Sequence, residues 1–270
     1  MADPLLPRHV DAELVATKRS GAYRVLTLSA RGVPEGFRPG NFVALSVGER
    51  TTTRAFWVRG VRQTSALGPT LEIVVERRGW GTDWLLSQPV GAKIALTGPL
   101  GRPFALPREP VSCVLVGEGV STSALFALGE RLRERGSLVS LVVAAPDEPH
   151  LLSPSDARRW ARSVTVVTGD GSVGLRGTVP EHLPAVLRSA EADVIYGAGP
   201  VGTVRGVAAA AEAHGAWSQV TLELPVPCGT GLCHGCPLPV VGEDGISRVV
   251  RACAEGPVVR GDRVLWEALP

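Results

Sequence analysis

The sequence lacks an excess of charge of either sign. Its 270 residues include 28 basic and 26 acidic side chains, which gives a net charge of +2 at pH 7. Proteins that bind nucleic acid usually carry clustered Lys and Arg, and no polybasic run stands out here. We therefore expect no nucleic acid among the partners.

Long hydrophobic runs are also missing. A membrane-spanning helix needs about 18 or more consecutive apolar residues, and no stretch approaches that length. The first residues, Met1-Ala2-Asp3-Pro4, lack the charged and apolar segments of a signal peptide. These two absences predict a cytoplasmic protein without a membrane partner.

Cysteine is scarce and unevenly placed. The chain has 5 cysteines, of which four lie near its C-terminal end: Cys228, Cys233, Cys236 and Cys253. Disulfides are rare in cytoplasmic proteins, so clustered thiols there suggest a metal site. The fifth, Cys113, lies in a predicted buried strand, where a thiol usually serves as a small hydrophobic side chain.

The length of the chain predicts about two domains. Residues 1–100 contain short β-rich segments separated by Gly and Pro, which is typical of a barrel or sandwich. Residues 98–110 hold four prolines, and we place the domain boundary there because proline interrupts strands and helices. Residues 111–224 alternate strand and helix, which predicts a parallel α/β sheet. Residues 225–270 lose that alternation and carry the cysteines.

The predicted elements follow from these patterns. In the first region the predicted strands are residues 23–28, 41–47, 54–58, 70–75 and 93–96. In the α/β region they are residues 111–116, 138–144, 164–167, 194–196 and 219–224. The predicted helices are residues 122–135, 155–162, 180–190 and 201–214, with Thr178 as a candidate cap of the third.

The spacing of the clustered cysteines is C-x4-C-x2-C, with the fourth cysteine after 16 further residues. This is the plant-type [2Fe–2S] pattern. Three thiolates on one tight loop can surround one side of the cluster while the fourth closes the site, and Gly229, Gly231 and Gly235 allow the loop to turn sharply. A zinc site usually has two C-x2-C pairs, whereas this sequence has one. The spacing favours an iron–sulfur cluster, with zinc or free thiols as alternatives.

Two glycine-bearing loops follow predicted strands of the α/β region. One is Gly117-Glu118-Gly119-Val120-Ser121-Thr122, and the other is Gly197-Ala198-Gly199-Pro200. Ligands of open α/β sheets bind at the carboxyl ends of strands, where backbone N–H groups can meet a phosphate. The third glycine of the dinucleotide fingerprint is absent, so a plain strand-to-helix turn is the alternative. The candidate dinucleotide-binding residues are Gly117, Gly119, Gly199 and Pro200.

Two further motifs lie in the β-rich region. Arg54-Ala55-Phe56-Trp57 places a cation beside two aromatic rings, and Gly79-Trp80-Gly81-Thr82-Asp83-Trp84 forms a glycine-lined turn with a hydroxyl. An arginine and a Gly-Thr turn can hold a pyrophosphate, and an aromatic ring can stack on a flat ligand. An exposed arginine beside core aromatics is the alternative.

Taken in order, these motifs resemble the electron-transfer subunits of class 1B dihydroorotate dehydrogenases, within the ferredoxin–NADP reductase-like superfamily. The resemblance covers nearly the whole chain, and its most specific parts are the cysteine loop, Gly98-Pro99-Leu100-Gly101 and Cys253-Ala254-Glu255-Gly256-Pro257-Val258. It implies an FAD-binding β-barrel over residues 1–100, an NAD-binding α/β domain over residues 111–224, and a [2Fe–2S] segment over residues 225–270.

The resemblance also implies ligands and partners. The cluster would be held by the four clustered cysteines, and FAD by Arg54, Ala55, Phe56, Trp57, Val74, Val75, Glu76, Gly81 and Thr82. Electrons would pass between NAD⁺ and the FMN of a dihydroorotate dehydrogenase catalytic subunit, in a heterotetramer with two copies of each chain that oxidises dihydroorotate to orotate in pyrimidine biosynthesis. No general acid or base for that oxidation is identifiable in this chain, so we assign no catalytic residue.

The chain departs from the family pattern at several positions. Trp57 stands where the family usually has serine, and Glu76 where a basic residue is common. Glu118, Ser121 and Ser123 interrupt the glycine- and proline-rich dinucleotide loop, and Ala198 replaces a frequent cysteine. A charged Glu118 beside a pyrophosphate would be unfavourable unless its side chain points away.

Three other functions remain compatible with the motifs. The chain could be an NAD-linked subunit of another redox complex, such as the gamma subunit of a sulfhydrogenase. It could be a stand-alone flavin reductase, or a zinc-stapled binding module without nucleotide.

Overall fold

The computed structural model describes residues 6–48 and 52–269, which form a closed barrel, a seven-stranded sheet and a two-stranded hairpin. Met1–Pro4, on which the expectation of a cytoplasmic protein partly rests, lie outside these residues. The strands are β1 (Arg8–Ser20), β2 (Tyr23–Ser29), β3 (Phe42–Ser46), β4 (Thr53–Arg62), β5 (Thr70–Glu76), β6 (Lys93–Leu100), β7 (Ser112–Glu118), β8 (Leu138–Ala145), β9 (Ser163–Thr168), β10 (Leu175–Arg176), β11 (Val194–Gly199), β12 (Trp217–Leu222), β13 (Pro237–Val241), β14 (Ser247–Arg251) and β15 (Val258–Arg260).

The described residues also form six α-helices. They are α1 (Trp80–Ser87), α2 (Phe126–Glu134), α3 (Pro154–Ala157), α4 (Val179–Ala190), α5 (Val201–His214) and α6 (Ala252–Glu255). In the described part of the chain, no helix has both the length and the apolar character needed to cross a membrane.

The barrel has the strand order β1-β2-β5-β4-β3-β6, and the neighbouring strands pair antiparallel. Its inward-facing side chains, such as Leu28, Leu45 and Ile73, form one fully buried core, as alternation along paired strands requires. Every strand predicted in this region is present. The 13-residue β1, which pairs with both β2 and β6, is absent from the prediction because its many charged residues hide the alternation.

Two local predictions in this region are wrong. Gly98, Pro99 and Leu100 complete β6 rather than begin a linker, since proline is tolerated where its missing N–H leaves no ladder bond unmade. The turn at Gly79–Trp84 opens the two-turn helix α1, which interrupts the strands.

The α/β sheet has the order β10-β9-β8-β7-β11-β12-β15, and all pairs except β12 with β15 are parallel. Two buried clusters lie on its two faces. Helix α5 matches the prediction, and α4 begins at the predicted cap with a capping box of Thr178 and Glu181. The helix predicted from residue 122 is instead a 3-10 segment, Gly119–Leu125, followed by α2, and Ser121, Thr122 and Ser123 are buried in that segment.

The C-terminal region packs against both other parts. Strand β15 adds to the edge of the α/β sheet, and β13 and β14 form the separate hairpin. Cys236, Cys253 and Leu238 share a buried cluster with Phe42 and Leu100 of the barrel. The predicted fold class, a β-barrel followed by a parallel α/β sheet and a cysteine segment, is confirmed.

Candidate functional site

The main cavity lies where the barrel, the α/β sheet and the cysteine segment meet. Its volume is about 460 Å³, within the range of small-molecule and cofactor sites. Most of the predicted flavin-binding residues line it: Arg54, Ala55, Phe56, Trp57, Val74, Glu76, Gly81 and Thr82. Residues from β4, from β5 and from α1 thus converge on one space, although they are separated along the sequence.

Arg54 and Gly81 form the polar end of this cavity. A Cβ atom at Gly81 would lie 2.9 Å from Nε of Arg54, so only glycine lets the guanidinium lie against the start of α1. Arg54 donates hydrogen bonds to the Thr53 carbonyl (3.1 Å) and the Thr52 hydroxyl (3.4 Å), and among the described residues no carboxylate is paired with it. Together with the N-terminal N–H groups of α1, an arginine in this state fits a pyrophosphate.

The flat part of the cavity is bounded by aromatic and apolar side chains. Phe56 and Trp57 line it from β4, and the Trp57 ring meets Phe42 edge-on with a centroid separation of 6.2 Å. Leu222 and Val226 line the opposite side. This composition fits the ring system of a flavin, which needs apolar walls and few polar contacts.

Not all predicted residues join the cavity. The Val75 side chain is fully buried in the barrel core. Gly117, Gly119, Gly199 and Pro200 lie beside the cavity rather than among its lining residues. Gly119 has a φ of 58°, and a Cβ there would approach only the Tyr23 hydroxyl, at 3.7 Å, so the loop leaves room for a ligand's close approach to its backbone.

Glu118 turns towards the second glycine loop. Its carboxylate accepts a hydrogen bond from the Thr203 hydroxyl in the first turn of α5. The side chain therefore ties the two loops together. It also places a negative charge at the helix end that would otherwise favour an anion.

Sequence reasoning missed a charged bridge across the cavity. Arg78 donates from Nε to Glu76 (2.5 Å) and from Nη1 to Glu223 (2.8 Å), and the Ser121 hydroxyl donates to the other oxygen of Glu223 (2.6 Å). All four side chains line the cavity. The position of Glu223, directly after a parallel strand, is the signal that could have revealed it.

The four clustered cysteines are arranged as two pairs. Against the effect of burial, hydrogen bonds from Cys233 lower the pKa of Cys228, and the backbone N–H of Cys253 donates to Sγ of Cys236 at 3.5 Å. In residues 6–48 and 52–269, no three His, Cys, Asp or Glu side chains are placed to hold a single metal ion. Each iron of a [2Fe–2S] cluster takes two protein ligands, so two adjoining thiol pairs fit such a cluster.

The backbone around the pairs also suits thiolates. The N–H groups of Thr230, Gly235 and Cys253 point to the sulfur atoms of Cys228, Cys233 and Cys236, at 3.4, 3.3 and 3.5 Å. Such N–H···S contacts stabilise negative charge on cluster ligands. Although burial raises the pKa of Cys228, hydrogen bonds from Thr230 and Cys233 outweigh it and lower this pKa to about 5.

The Cys253 thiol is less ready to ionise than the Cys228 thiol. Burial, followed by the hydrogen bond and charge of Cys236, raises the pKa of Cys253 to about 12. The loop turns at Gly229 and Gly231, with φ of 72° and 82°. At Gly229 a Cβ would meet Leu100 at 3.0 Å and Ala44 at 3.1 Å, so the loop packs directly on the barrel.

The cysteine segment separates the main cavity from a second one. Ala252 of α6 lines the first, whereas Cys253 and Ala254 line the second, which has a volume of about 520 Å³. Gly229 and Thr230 of the cysteine loop also line the second cavity. A group bound by the cysteines would thus lie between the flavin cavity and the second cavity.

The comparisons with known proteins agree with this geometry. Residues 225–265 match the family described as the iron–sulfur cluster binding domain of dihydroorotate dehydrogenase B. The chain is 30% identical over 255 residues to the dihydroorotate dehydrogenase B (NAD(+)) electron transfer subunit of Bacillus caldolyticus, covering 93% of this chain and 96% of the relative. The subunit of the same description from Desulforamulus reducens is 28% identical over 229 residues, covering 85% and 87%.

Solved structures show the same architecture. A chain of the NADH-dependent reduced ferredoxin-NADP oxidoreductase, studied for flavin-based electron bifurcation, superposes with a TM-score of 0.84 at 25% identity over 100% of this chain and 93% of that one. A ferredoxin NADP⁺ reductase from Neisseria gonorrhoeae with bound FAD and NADP, at 16% identity, has a TM-score of 0.62 over 77% of this chain and 92% of that one. The fold, the paired thiols and the extent of the sequence match together show that the chain belongs to the family of dihydroorotate dehydrogenase B electron transfer subunits.

Proposed function

We propose that this chain is an electron-transfer subunit that links NAD⁺ to the FMN of a dihydroorotate-oxidising partner through a [2Fe–2S] cluster and FAD. The observation that carries the proposal is the position of the cysteine segment, whose Ala252 lines the first cavity and whose Cys253 lines the second. The first of these cavities has the lining that FAD requires.

The chemistry itself belongs to the bound groups, since FAD exchanges a hydride with the dinucleotide and single electrons with an iron–sulfur cluster. The chain binds and orients them. Arg54 and the start of α1 hold the pyrophosphate, while Phe56 and Trp57 bound the ring system on the barrel side. Cys228 and Cys233 would hold one iron, and Cys236 and Cys253 the other.

The two irons would differ in exposure. Cys233 is exposed and Cys228 half-buried, whereas Cys236 and Cys253 are buried. Hydrogen bonds and burial both tune the potential of such a centre. The buried pair lies beside Ala252 and the flavin cavity, so the exposed pair would face the partner.

Cofactor analysis of purified protein tests the first part of this proposal. Protein purified without oxygen should contain one FAD and about two irons per chain, with flavin and cluster absorption bands together. Protein that carries zinc and no flavin would contradict it.

Cys233→Ser tests the order of the relay. This change should abolish cluster-dependent turnover with the partner and NAD⁺, while the flavin remains reducible by NADH. The matched control is Cys113→Ser, which alters a buried thiol outside the cysteine segment. If turnover with the partner survives in Cys233→Ser, the order is wrong.

A second candidate is a subunit of a different flavin complex. The match over the whole chain to the NADH-dependent ferredoxin-NADP oxidoreductase favours it. Co-purification with a dihydroorotate dehydrogenase catalytic subunit, and dihydroorotate-dependent NAD⁺ reduction by that complex, would decide between the two. The subunit ratio of the purified complex would test the expected heterotetramer.

A further inference from the structure

The bridge between Arg78 and Glu223 has no part in the function proposed so far. Glu223 follows β12 directly, and Arg78 lies in the loop between β5 and α1. Their ion pair of 2.8 Å therefore joins the α/β region to the barrel. It also places a carboxylate inside the cavity in which flavin and dinucleotide would meet.

Two carboxylates share this one guanidinium. Glu76 accepts from Arg78 at 2.5 Å on the barrel side, and Glu223 accepts on the α/β side. The three groups sum to a charge of −1. The second oxygen of Glu223 is bound to the neutral Ser121 hydroxyl, so the charge of Glu223 is only partly compensated.

The nicotinamide ring must come close to Glu223. Hydride transfer requires the two reacting atoms within about 3.5 Å of each other, so the ring has to enter the flavin cavity. The described side chains that line the cavity from the α/β region are Val120, Ser121, Ser123, Leu222, Glu223 and Leu224. Among these, Glu223 alone is charged.

We propose that Glu223, held by Arg78 and Ser121, makes this cavity prefer the oxidised nicotinamide ring to the reduced ring. The oxidised ring carries a positive charge and the reduced ring is neutral, while the rest of the dinucleotide is the same. A nearby carboxylate therefore stabilises the oxidised form selectively. This inference rests on the proposed function and specifies the redox form of the dinucleotide that the site favours, which is the electron acceptor.

Arg78 and Ser121 act through Glu223 and are positioning residues. Arg78 fixes the carboxylate and also weakens its field, because its own charge has the opposite sign. Ser121 fixes the second oxygen without changing the net charge. Substitutions of Arg78 and Glu223 should therefore shift the preference in opposite directions.

The test compares binding of NAD⁺ with binding of 1,4,5,6-tetrahydro-NAD, a neutral analogue that cannot donate a hydride. Titration calorimetry on oxidised protein loaded with FAD and cluster gives the two dissociation constants without turnover. In Glu223→Gln the preference for NAD⁺ should fall about tenfold, as expected for losing a partly shielded charge near the ring. In Arg78→Gln the preference should rise, because the two carboxylates lose their shared cation.

The matched control is Glu72→Gln, which removes a carboxylate from the ion pair with Arg59 outside the cavity. It should leave the preference unchanged. The redox midpoint potential of the flavin is a second readout and should rise in Glu223→Gln, because a nearby negative charge disfavours electron uptake.

The outcomes separate the two proposals. If the wild-type protein binds neither dinucleotide, the NAD-linked function is wrong and this inference falls with it. If both bind and Glu223→Gln leaves the preference as it was, or if Glu223→Gln and Arg78→Gln shift it in the same direction, the inference alone is overturned.

Discussion

The two halves of the flavin cavity are built differently. In the barrel half, no carboxylate within residues 6–48 and 52–269 pairs with Arg54, which lies beside a glycine that keeps the cavity open. The α/β half presents Glu223 and Ser121, and the adjoining loop carries Glu118 where the family pattern has glycine. The barrel half is thus prepared for an anion, whereas the α/β half carries negative charge next to the place where a dinucleotide would bind.

This difference shows that one cavity can have opposite electrostatic preferences on its two sides. In the function proposed above, a flavin would bring a pyrophosphate to the barrel side, and a nicotinamide would bring a cationic ring to the α/β side. Arg54 is held by its neighbours Thr52 and Thr53, whereas Glu223 is held by Arg78 and Ser121 from distant parts of the chain. Single substitutions on each side of the cavity test this electrostatic difference.

The largest effect is expected at Arg54. Arg54→Ala removes the cation at the start of α1 and should weaken FAD binding about 100-fold, since hydrogen bonds between charged groups contribute about 1.5–3 kcal/mol. The measurement is the FAD dissociation constant, obtained by reconstituting flavin-free protein. The control Arg77→Ala removes an exposed arginine that pairs with Asp83 outside the cavity. Equal losses in both variants would contradict the assignment.

A smaller effect is expected at Glu118. Glu118→Gln keeps an acceptor for Thr203 but removes the charge, so it should tighten dinucleotide binding about fivefold by relieving repulsion of the pyrophosphate. NAD⁺ and its neutral analogue share the pyrophosphate and should gain equally, unlike in Glu223→Gln. Thr203→Val is the control, because it removes the hydrogen bond and keeps the charge. Weaker binding in Glu118→Gln would show that the carboxylate helps to hold the dinucleotide.

The smallest effect is expected at Cys113. Burial, followed by the charge of Asp193, raises the pKa of this thiol to about 12, so it stays protonated and inaccessible at neutral pH. In folded protein stripped of iron, a maleimide should label the thiols of the cysteine segment and leave Cys113 unmodified until the chain is unfolded. Mass spectrometry of the labelled peptides provides the measurement. Labelling of Cys113 in the folded state would show that β7 opens locally.

Local patterns predicted much of the site. Arg54, Gly81 and Thr82 were identified from motifs of a few residues, and all three line the cavity. The resemblance placed Val74 and Val75 together among the flavin-binding residues. Alternation along β5 instead turns Val74 to the cavity and Val75 into the barrel core.

Other features of the structure cannot be predicted from the local sequence. Strand β1 is recognisable only from its pairing with β2 and β6, because half of its surface is polar and exposed. The 3-10 segment after β7 depends on how Ser121, Thr122 and Ser123 are buried between the barrel and the sheet. Pairing with distant strands in the first case, and burial by distant elements in the second, override local propensity.

By itself the sequence determined the order of barrel, α/β sheet and cysteine segment, and the set of four thiols suited to a [2Fe–2S] cluster. These features are encoded by residues close together in the chain, through alternation, glycine turns and thiol spacing. Only the tertiary structure decided that the thiols form two pairs between two cavities, and that Arg78 meets Glu223 across 145 residues. Contacts of that kind depend on how the barrel packs against the sheet, and no local pattern specifies where two distant charges will meet.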